Sequence, residues 1–349
     1  MIDKPLQDTP HWKIYSRIDA RRLREPTTYI VDKFIESGSL NIVYGNPGGF
    51  KSMVMLDLAV CVALGHEWLE GCFGNGRGVS VAQSPVLWVD FDNGSKRTHR
   101  RIDAMCNGYS DNDDIPIHYA SMPDPPLIAH DLDSMLELRD SILSKQARLV
   151  IIDNLGLITG DIEENNAKMA IVMGNLRRIV ERTGAAMIVI HHSRKGGANG
   201  GRAGEALRGH SSIEASLDLA IQVLREQDSD KCRLQSTKTR GVDVPVVTGR
   251  FEYTHAYGID GNLTNDLATA RFYGVAQVRG NNPIRDAIEA VLRGNPDGLT
   301  KGKLAYLVVD NLGEDAPGIN KVRTWIDDLI AQGELNLETG ENNAKIITF

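Results

Sequence analysis

One stretch constrains the fold of this chain more than any other, and it extends from residue 39 to residue 64. Residues 40–44 form a short apolar run that predicts a buried strand, and a glycine-rich turn follows directly. A second apolar run, residues 53–64, has the length of a helix. A strand, a glycine-rich turn and a helix in this order predict backbone N–H groups that point inward at the amino end of the helix.

The residues of this turn are typical of a phosphate-binding loop. Lys51 and Ser52 follow it, as in the pattern Gly-x-x-x-x-Gly-Lys-Ser/Thr, but Phe50 occupies the place of the second glycine. We expect Lys51 to reach the β- and γ-phosphates of a nucleotide, and the Ser52 hydroxyl to ligate Mg²⁺. An ordinary glycine-rich turn is the alternative, and the strand and helix on its two sides argue against it. The predicted nucleotide-binding residues are Gly45, Asn46, Pro47, Gly48, Gly49, Phe50, Lys51, Ser52 and Met53.

Composition and charge narrow the class of protein. The 349 residues fit one large and one small domain, or two domains of middle size. A net charge of −7 argues against a uniformly basic surface for nucleic acid, although it allows a local basic channel. The four cysteines are scattered without a Cys-x-x-Cys pair, which predicts a reducing compartment and neither a zinc site nor a disulfide framework. The polar N-terminus is no signal peptide, and no apolar run approaches ~20 residues, so we expect a cytoplasmic protein without membrane contact.

Two further apolar runs end in carboxylates. Residues 86–92 contain Asp90 and Asp92, and residues 149–154 contain Asp153. Apolar runs separated by helices predict an α/β fold with a mostly parallel sheet. At the carboxyl end of such a strand, Asp153 would hold the water shell of Mg²⁺, and an aspartate that caps a turn is the alternative.

The next part of the chain adds an antiparallel extension to this sheet. Residues 186–190 predict another strand, and residues 219–224 and 231–236 predict a pair of antiparallel strands. A glycine-rich loop, residues 196–204, lies between them in the sequence. The polar residues near the ends of these elements are His191, His192, Arg208, Lys238 and Arg240.

The chain is expected to have four parts. Residues 1–27 form an N-terminal arm, residues 28–257 a core domain, residues 258–282 a linker and residues 283–349 a small C-terminal domain. The arm is either a solvated surface segment or a segment that docks on a neighbouring subunit. In the C-terminal domain, three helices and a two-stranded hairpin suggest a winged helix.

A winged helix binds either DNA or protein, and the charge of this one distinguishes the two. DNA would be contacted near the start of the third helix, where Asn320, Lys321, Arg323 and Thr324 stand. Residues 283–349 nevertheless contain seven Lys or Arg and eleven Asp or Glu. This excess of acid favours a protein-contact or packing module over a DNA-binding one.

Taken in order, these motifs resemble those of RecA-type ATPases, in particular the plasmid RepA-type hexameric replicative helicases. The resemblance extends over residues 28–255. It implies a RecA-like P-loop NTPase core, ATP and Mg²⁺ as cofactors, a homo-hexamer with active sites between subunits, and single-stranded DNA as a partner. The motifs that carry it are residues 45–52, 86–92, 149–154, 162–165, 190–193, 207–212 and 238–240.

The resemblance also implies roles for the acids and histidines. The strand next to the phosphate loop ends, in this family, in a glutamate that polarises the attacking water, and Asp92 occupies that position. Since side chains alternate along a strand, Asp90 is placed on the same face and is the second candidate. Capping of the strand end is the alternative for both. His191 and His192 resemble a sensor of the γ-phosphate, and a hydrogen-bonded core histidine is the alternative.

The remaining candidates are cations. Lys238 and Arg240 resemble the Lys-x-Arg pair that RecA-type rings insert into the neighbouring site, where an arginine finger stabilises the transition-state charge. Arg208 resembles a family position as a sensor, an interface contact or a second finger, and a solvated surface charge is the alternative for a lone arginine. Lys195 and Arg202 accompany the glycine-rich loop, which resembles the mobile loop that contacts DNA in the ring channel.

The first interpretation is therefore a hexameric, ATP-driven motor on single-stranded DNA, the replicative helicase of a plasmid, phage or other mobile element. One alternative is an ATP-dependent switch that gates a partner protein through the C-terminal domain. Another is a recombination or repair ATPase that forms filaments. A helicase requires hydrolysis stimulated by single-stranded DNA, whereas a switch does not.

Overall fold

A computed structural model describes most of the chain, and the chain divides into two compact units, residues 1–276 and 277–349. The described residues are 14–22, 26–73, 76–110, 112, 114–163, 166–192, 211–225, 227–241, 244–276, 283–313, 316–331, 335–339 and 345–348. The glycine-rich loop 196–204, its neighbour Lys195, the residue Arg208 and part of the motif 162–165 lie outside them. Each unit is described below by itself.

The first unit contains alternating strands and helices. Its strands are β1 Tyr29–Val31, β2 Ile35–Glu36, β3 Leu40–Gly45, β4 Val86–Asp90, β5 Ile117–Ser121, β6 Leu149–Asp153, β7 Ala186–His192, β8 Leu219–Arg225, β9 Lys231–Thr239, β10 Val247–Tyr257 and β11 Leu263–Gly274. Its helices are α1 Arg17–Arg21, α2 Lys51–Leu64, α3 Ser95–Asn107, α4 Leu132–Ser144, α5 Leu155–Ile158, α6 Met169–Thr183 and α7 Ser211–Ser216.

Within the described ranges, nine of these strands form one sheet in the order β11-β10-β9-β8-β3-β7-β6-β4-β5. The strands from β8 to β5 in this order pair in parallel, and β9, β10 and β11 extend the sheet by antiparallel pairing. The predicted α/β core with a mostly parallel sheet and an antiparallel extension is confirmed. Among these strands β3 lies in the interior of the sheet, between β7 and β8.

Both faces of β3 are buried, which explains why its residues are apolar apart from Asn41, whose side-chain amide donates hydrogen bonds to the backbone carbonyls of Ser39 and Met187. Val43 packs into one core cluster together with residues of α2. Leu40, Ile42 and Tyr44 point to the opposite face and pack into a second cluster with residues of α4 and α6. A strand covered on both faces has no polar face, so its sequence does not alternate.

The position of β4 differs from the prediction. The strand that carries Asp90 is not next to the phosphate-loop strand β3, because β7 and β6 lie between them. β4 pairs with β6 on one side and β5 on the other. The order of strands along the chain does not give their order in space, since each helical connection can cross over several strands.

The predicted linker, residues 258–282, is wrong for residues 263–274. These residues form β11, which pairs along its length with β10 to make a long hairpin at the edge of the sheet. The polar residues that suggested a linker alternate along an edge strand, where part of the surface faces solvent. Residues 277–282 lie outside the described part of the chain.

A buried carboxylate fastens this hairpin to two helices. Asp57, in the middle of α2, accepts a hydrogen bond of 2.8 Å from the backbone N–H of Phe272 in β11. The same oxygen accepts a 2.8 Å hydrogen bond from the hydroxyl of Tyr109, which follows α3. The guanidinium of Arg271 lies 4.3 Å from the centre of the Tyr109 ring. Burial raises the pKa of Asp57 to about 7, although these hydrogen bonds oppose the rise.

The second unit is a small helical domain with its own core. Its elements are α8 Pro283–Arg293, β12 Leu299–Thr300, α9 Lys301–Leu312, α10 Ile319–Ala331, β13 Asn336–Thr339 and β14 Lys345–Thr348. Ile288, Leu304, Ile326 and Ile347 are fully buried at its centre. Its strands pair in the order β12-β14-β13, so a third strand joins the predicted two-stranded hairpin. β12 has two residues, too few for a sequence pattern.

Part of the predicted arm is described as a short helix. α1 begins with a capping box in which the side chains of Ser16 and Asp19 bond to each other's backbone N–H groups. Of the helices in the described ranges, none has the length and hydropathy that a membrane crossing requires.

Replacement of Asp57 by Asn should change the pH dependence of stability. The folded state holds the Asp57 proton up to about pH 7, whereas the ordinary pKa of an exposed aspartate carboxyl is 3.8. The free energy of unfolding of the wild type should therefore fall relative to Asp57→Asn as pH rises between these values. The slope is at most about 1.4 kcal/mol per pH unit, and it levels off above about pH 7. Urea unfolding at several pH values measures this difference.

A matched control is Asp133→Asn, since Asp133 is exposed on α4. This variant should keep the wild-type slope. If Asp57→Asn also keeps it, Asp57 does not hold a proton in the folded state.

Candidate nucleotide site

The carboxyl ends of four parallel strands bring Asp90, Asp153, His192 and the phosphate loop to one end of the sheet. In the strand register, Asp90 of β4 lies beside Asp153 of β6, and Asp153 lies beside Ile190 of β7. His192 of β7 lies beside Gly45, where β3 ends and the loop begins. Residues separated by more than a hundred positions in the sequence therefore meet around one loop.

Two glycines of the loop are required by its geometry. A Cβ atom on Gly45 would lie 2.4 Å from the carbonyl oxygen of Val223 in β8, so no side chain fits there. Gly48 has a φ of +72°, in the left-handed region that favours glycine. The loop closes on itself through a 3.1 Å hydrogen bond from the Gly49 N–H to the Asn46 carbonyl.

Lys51 stands at the start of α2 with its side chain directed back to the loop. Its ammonium group donates a 2.9 Å hydrogen bond to the Asn46 carbonyl. Burial lowers the pKa of Lys51, while the negative charges of Asp153 and Asp92 raise it. A lysine that is buried beside the loop and turned toward it fits a phosphate contact.

Asp153 and Ser52 provide the oxygen ligands that Mg²⁺ prefers. The Ser52 hydroxyl and the Asp153 carboxylate line the same cavity, and burial raises the pKa of Asp153 to about 6, although Ser52 opposes the rise. The Oδ2 atom of Asp153 is buried and has no hydrogen-bond partner among the described residues. An unsatisfied carboxylate oxygen beside a hydroxyl suits a divalent cation, because the cation would offset the cost of burying the charge. Both residues predicted for the metal thus fit Mg²⁺.

Asp90 and Asp92 have different environments. Asp90 is 2% exposed and accepts hydrogen bonds of 2.9 Å from the backbone N–H groups of Asp92 and Asn93. It also accepts a 2.8 Å hydrogen bond from the Thr98 hydroxyl in α3. Asp92 is exposed, in the bend after the strand. The prediction that both lie on one strand face is wrong, because β4 ends at Asp90 and the alternation ends with it.

This difference assigns distinct roles to the two acids. The lone pairs of Asp90 are engaged in holding the bend and the first turn of α3, so Asp90 acts as a cap. Both acids raise the pKa of Asp153 by their negative charge, but of the two only Asp92, which is accessible, also raises the pKa of Lys51. Of the two acids, Asp92 is therefore the better candidate to contact an attacking water.

The two histidines are distinguished by burial. His191 is completely buried within the sheet, where it lies beside Tyr44 of β3. His192 is half-buried and lies beside Gly45 at the mouth of the loop. Only a histidine at the loop can report on a phosphate, so His192 suits the sensor role and His191 suits the alternative of a core histidine.

Lys238 and Arg240 lie away from the phosphate loop of their own chain. In the register of β8 and β9, Lys238 lies beside Ala220, at the start of β8. Because β8 runs parallel to β3, Lys238 lies at the amino ends of these strands, and the phosphate loop lies at their carboxyl ends. Lys238 and Arg240 donate hydrogen bonds to backbone carbonyls of α7, at Glu214 and Ala215.

Sequence reasoning missed Arg225, the last residue of β8. Its Nη1 donates a 2.9 Å hydrogen bond to the Gly48 carbonyl, and its guanidinium carbon lies 3.6 Å from the centre of the Phe50 ring. A single arginine at a strand end has no sequence signal of its own, and only the parallel pairing of β8 with β3 brings it to the loop.

The fold and the site define a P-loop nucleotide-binding protein. A family model described as an AAA domain matches residues 8–198, more than half of the chain. The chain therefore belongs to this family of AAA-type P-loop ATPases. The matched segment contains the phosphate loop, Asp92, Asp153 and both histidines, and it ends before Lys238 and Arg240.

The two aspartates should separate in a mutational test. Asp92→Asn should still bind Mg·ATP and lose about 10²- to 10⁴-fold in turnover, the range of a general base. Asp90→Asn should instead lower the melting temperature, because it disturbs the hydrogen bonds at the start of α3. Lys51→Ala, the reference for a lost site, should abolish hydrolysis. Steady-state ATPase rates and thermal melts test this assignment, and wild-type turnover by Asp92→Asn would contradict it.

Proposed function

We propose that the protein is a homo-hexameric motor that hydrolyses ATP on single-stranded DNA, as the replicative helicase of a plasmid, phage or other mobile element. A cytoplasmic location belongs to this proposal. One observation supports the oligomeric part of the proposal. The phosphate loop lies at the carboxyl ends of the parallel strands, and the Lys238–Arg240 pair lies at their amino ends.

Lys238 and Arg240 are too far from the phosphate loop of their own chain to contribute to its site. β8 has seven residues, and at about 3.3 Å per residue its two ends are roughly 20 Å apart. An arginine side chain cannot cross this distance. Arg240 is half-exposed, so it is accessible to a second copy of the chain. A ring that places Arg240 of one subunit at the loop of the next would complete the site.

In such a ring, residues of two chains divide the chemistry. Lys51 and the loop N–H groups would hold the β- and γ-phosphates, and Ser52 and Asp153 would hold Mg²⁺, which would neutralise part of the phosphate charge. Asp92 orients and deprotonates the attacking water. His192 contacts the γ-phosphate from the end of β7. Arg240 of the neighbouring subunit stabilises the charge that develops on the transferred phosphoryl group.

The DNA part of the proposal rests on the order of the sequence motifs. The glycine-rich loop with Lys195 and Arg202 follows β7, which ends at this edge of the sheet. Two cations in such a loop suit the phosphates of a single strand. The loop itself lies outside the described residues, so solution experiments must test its role.

A second candidate function is an ATP-dependent switch that acts on a protein through the second unit. The order helix, strand, helix, helix, strand, strand in this unit is that of a winged helix, and we propose that it is one. Its excess of acidic residues favours a protein partner over DNA. In this case hydrolysis would not depend on DNA.

The two functions differ in a single experiment. The motor should hydrolyse ATP several-fold faster with single-stranded DNA than without it, and it should assemble in Mg·ATP to six copies of the 38.3 kDa chain. ATPase assays and mass photometry on the same sample measure both properties. Oligomers that hydrolyse ATP at the same rate with and without DNA would favour the switch. A monomer with full ATPase activity would contradict the shared site.

Mixing of two inactive variants tests the shared site directly. Arg240→Ala should bind ATP almost normally and lose on the order of 10³-fold in turnover, the scale of an arginine finger. Lys51→Ala keeps Arg240 but loses its own site. Mixed rings contain interfaces with an intact loop and an intact Arg240, so they should regain part of the activity. If co-assembled subunits stay inactive at every ratio, the site is not shared.

A further inference from the structure

Phe50 has a backbone conformation that its residue type disfavours. Its φ is +68°, in the left-handed region, and it precedes the first residue of α2. The phosphate-loop pattern has glycine at this place, because glycine enters that region without a steric cost. For a residue with a Cβ atom, the left-handed conformation is disfavoured by about 5- to 30-fold. Some other interaction must therefore hold Phe50 in place.

Aromatic contacts to the β10–β11 hairpin supply part of that interaction. The Phe50 ring lies 5.2 Å from the ring of Phe251 in β10 and 5.7 Å from the ring of Phe272 in β11, between ring centres. Phe251 and Phe272 are register partners, and Phe272 is completely buried. These separations are typical of favourable aromatic pairs.

Arg225 is a further neighbour of the Phe50 ring. Its guanidinium carbon lies 3.6 Å from the centre of the Phe50 ring, the position of a cation–π contact. The same group donates hydrogen bonds to the carbonyls of Gly48, at 2.9 Å, and of Ser229, at 2.7 Å. One side chain thus contacts both the ring of Phe50 and the backbone of the loop two residues earlier.

We propose that Phe50, Arg225, Phe251 and Phe272 form a clamp that positions the phosphate loop, so that the β10–β11 hairpin sets the affinity for nucleotide. In this clamp Phe50 is a positioning residue, since it acts through the loop backbone and Lys51. The inference rests on the proposed binding and hydrolysis of ATP at this loop. It makes the hairpin part of the nucleotide site, although the hairpin contributes none of the predicted ligands.

Two substitutions of Phe50 distinguish a clamp from ordinary core packing. Phe50→Ala removes the ring contacts but keeps Cβ, so the left-handed conformation remains disfavoured and nothing holds it. Phe50→Gly removes the same contacts, but glycine takes that conformation without cost. The clamp therefore predicts that the smaller residue is the better one for nucleotide binding. A packing role predicts that Gly is no better than Ala.

The experiment compares full-length wild type, Phe50→Ala and Phe50→Gly by calorimetric titration with Mg·ATP. Phe50→Ala should bind at least about 5- to 30-fold more weakly, and Phe50→Gly within a few-fold of wild type. Both should melt at similarly reduced temperatures, because both lose the ring. In steady-state assays the loss in Phe50→Ala should appear in KM more than in kcat, since Asp92 and Asp153 are unchanged. If Phe50→Ala does not fold, Phe50→Leu, which keeps Cβ without the ring, replaces it.

Phe34→Ala is the matched control. Phe34 is buried and packs its ring against Trp68, 5.8 Å away, in the turn between β1 and β2. Its loss should lower the melting temperature without changing nucleotide affinity. Arg225→Ala should cost more affinity in the wild type than in Phe50→Gly, where the ring it covers is absent.

The outcomes separate the clamp from the proposed function. If the wild type binds no Mg·ATP, both proposals fail. If the wild type binds Mg·ATP and Phe50→Gly is no better than Phe50→Ala, the clamp alone is overturned. The double variant Arg225→Ala, Phe50→Gly gives a further test. If its loss of nucleotide affinity equals the sum of the two single losses, the contact between Arg225 and the Phe50 ring does not set the loop geometry.

Discussion

The concentration of charge at the carboxyl edge of a buried parallel sheet is the constraint on which this structure depends. Lys51, Asp90 and Asp153 are all nearly inaccessible to water, and a buried charge is costly unless it is paired or hydrogen-bonded. Each of them is accommodated differently: Asp90 by backbone N–H groups, Lys51 by a carbonyl, and Asp153 only in part. The incomplete accommodation of Asp153 suits this end of the sheet to a bound cation.

Much of this site was predictable from the sequence, because its elements have strong local patterns. A run of apolar residues gave β3, the turn chemistry gave the loop, and acids after apolar runs gave Asp92 and Asp153. The assignment of faces to Asp90 and Asp92 failed, since the point at which a strand ends is set by hydrogen bonding that a pattern does not contain. β12 was missed for a related reason, because two residues pair only when a neighbouring strand is present.

The hairpin and Arg225 show a second limit of sequence reasoning. Residues 258–282 are polar and contain glycine, as linkers do, yet residues 263–274 pair with β10 over most of their length. Their importance comes from two contacts with distant parts of the chain, Phe272 with Asp57 and Phe272 with Phe50. Neither contact follows from spacing or periodicity. Both contacts depend on tertiary packing, so they can be identified only from the order of the strands in three dimensions.

Helix α2 is held near its amino end and again in its second turn by the same residue of β11, Phe272. The independent folding unit of the ATPase therefore does not end where the chain first becomes polar. A fragment that stops at residue 257 would remove Phe272, and with it a hydrogen-bond donor to the buried Asp57 and an aromatic neighbour of Phe50. A fragment that continues to residue 276 retains both. The natural place to divide this chain lies beyond the hairpin, and a gene fusion or an evolutionary exchange of the second unit would keep both Phe272 contacts only there.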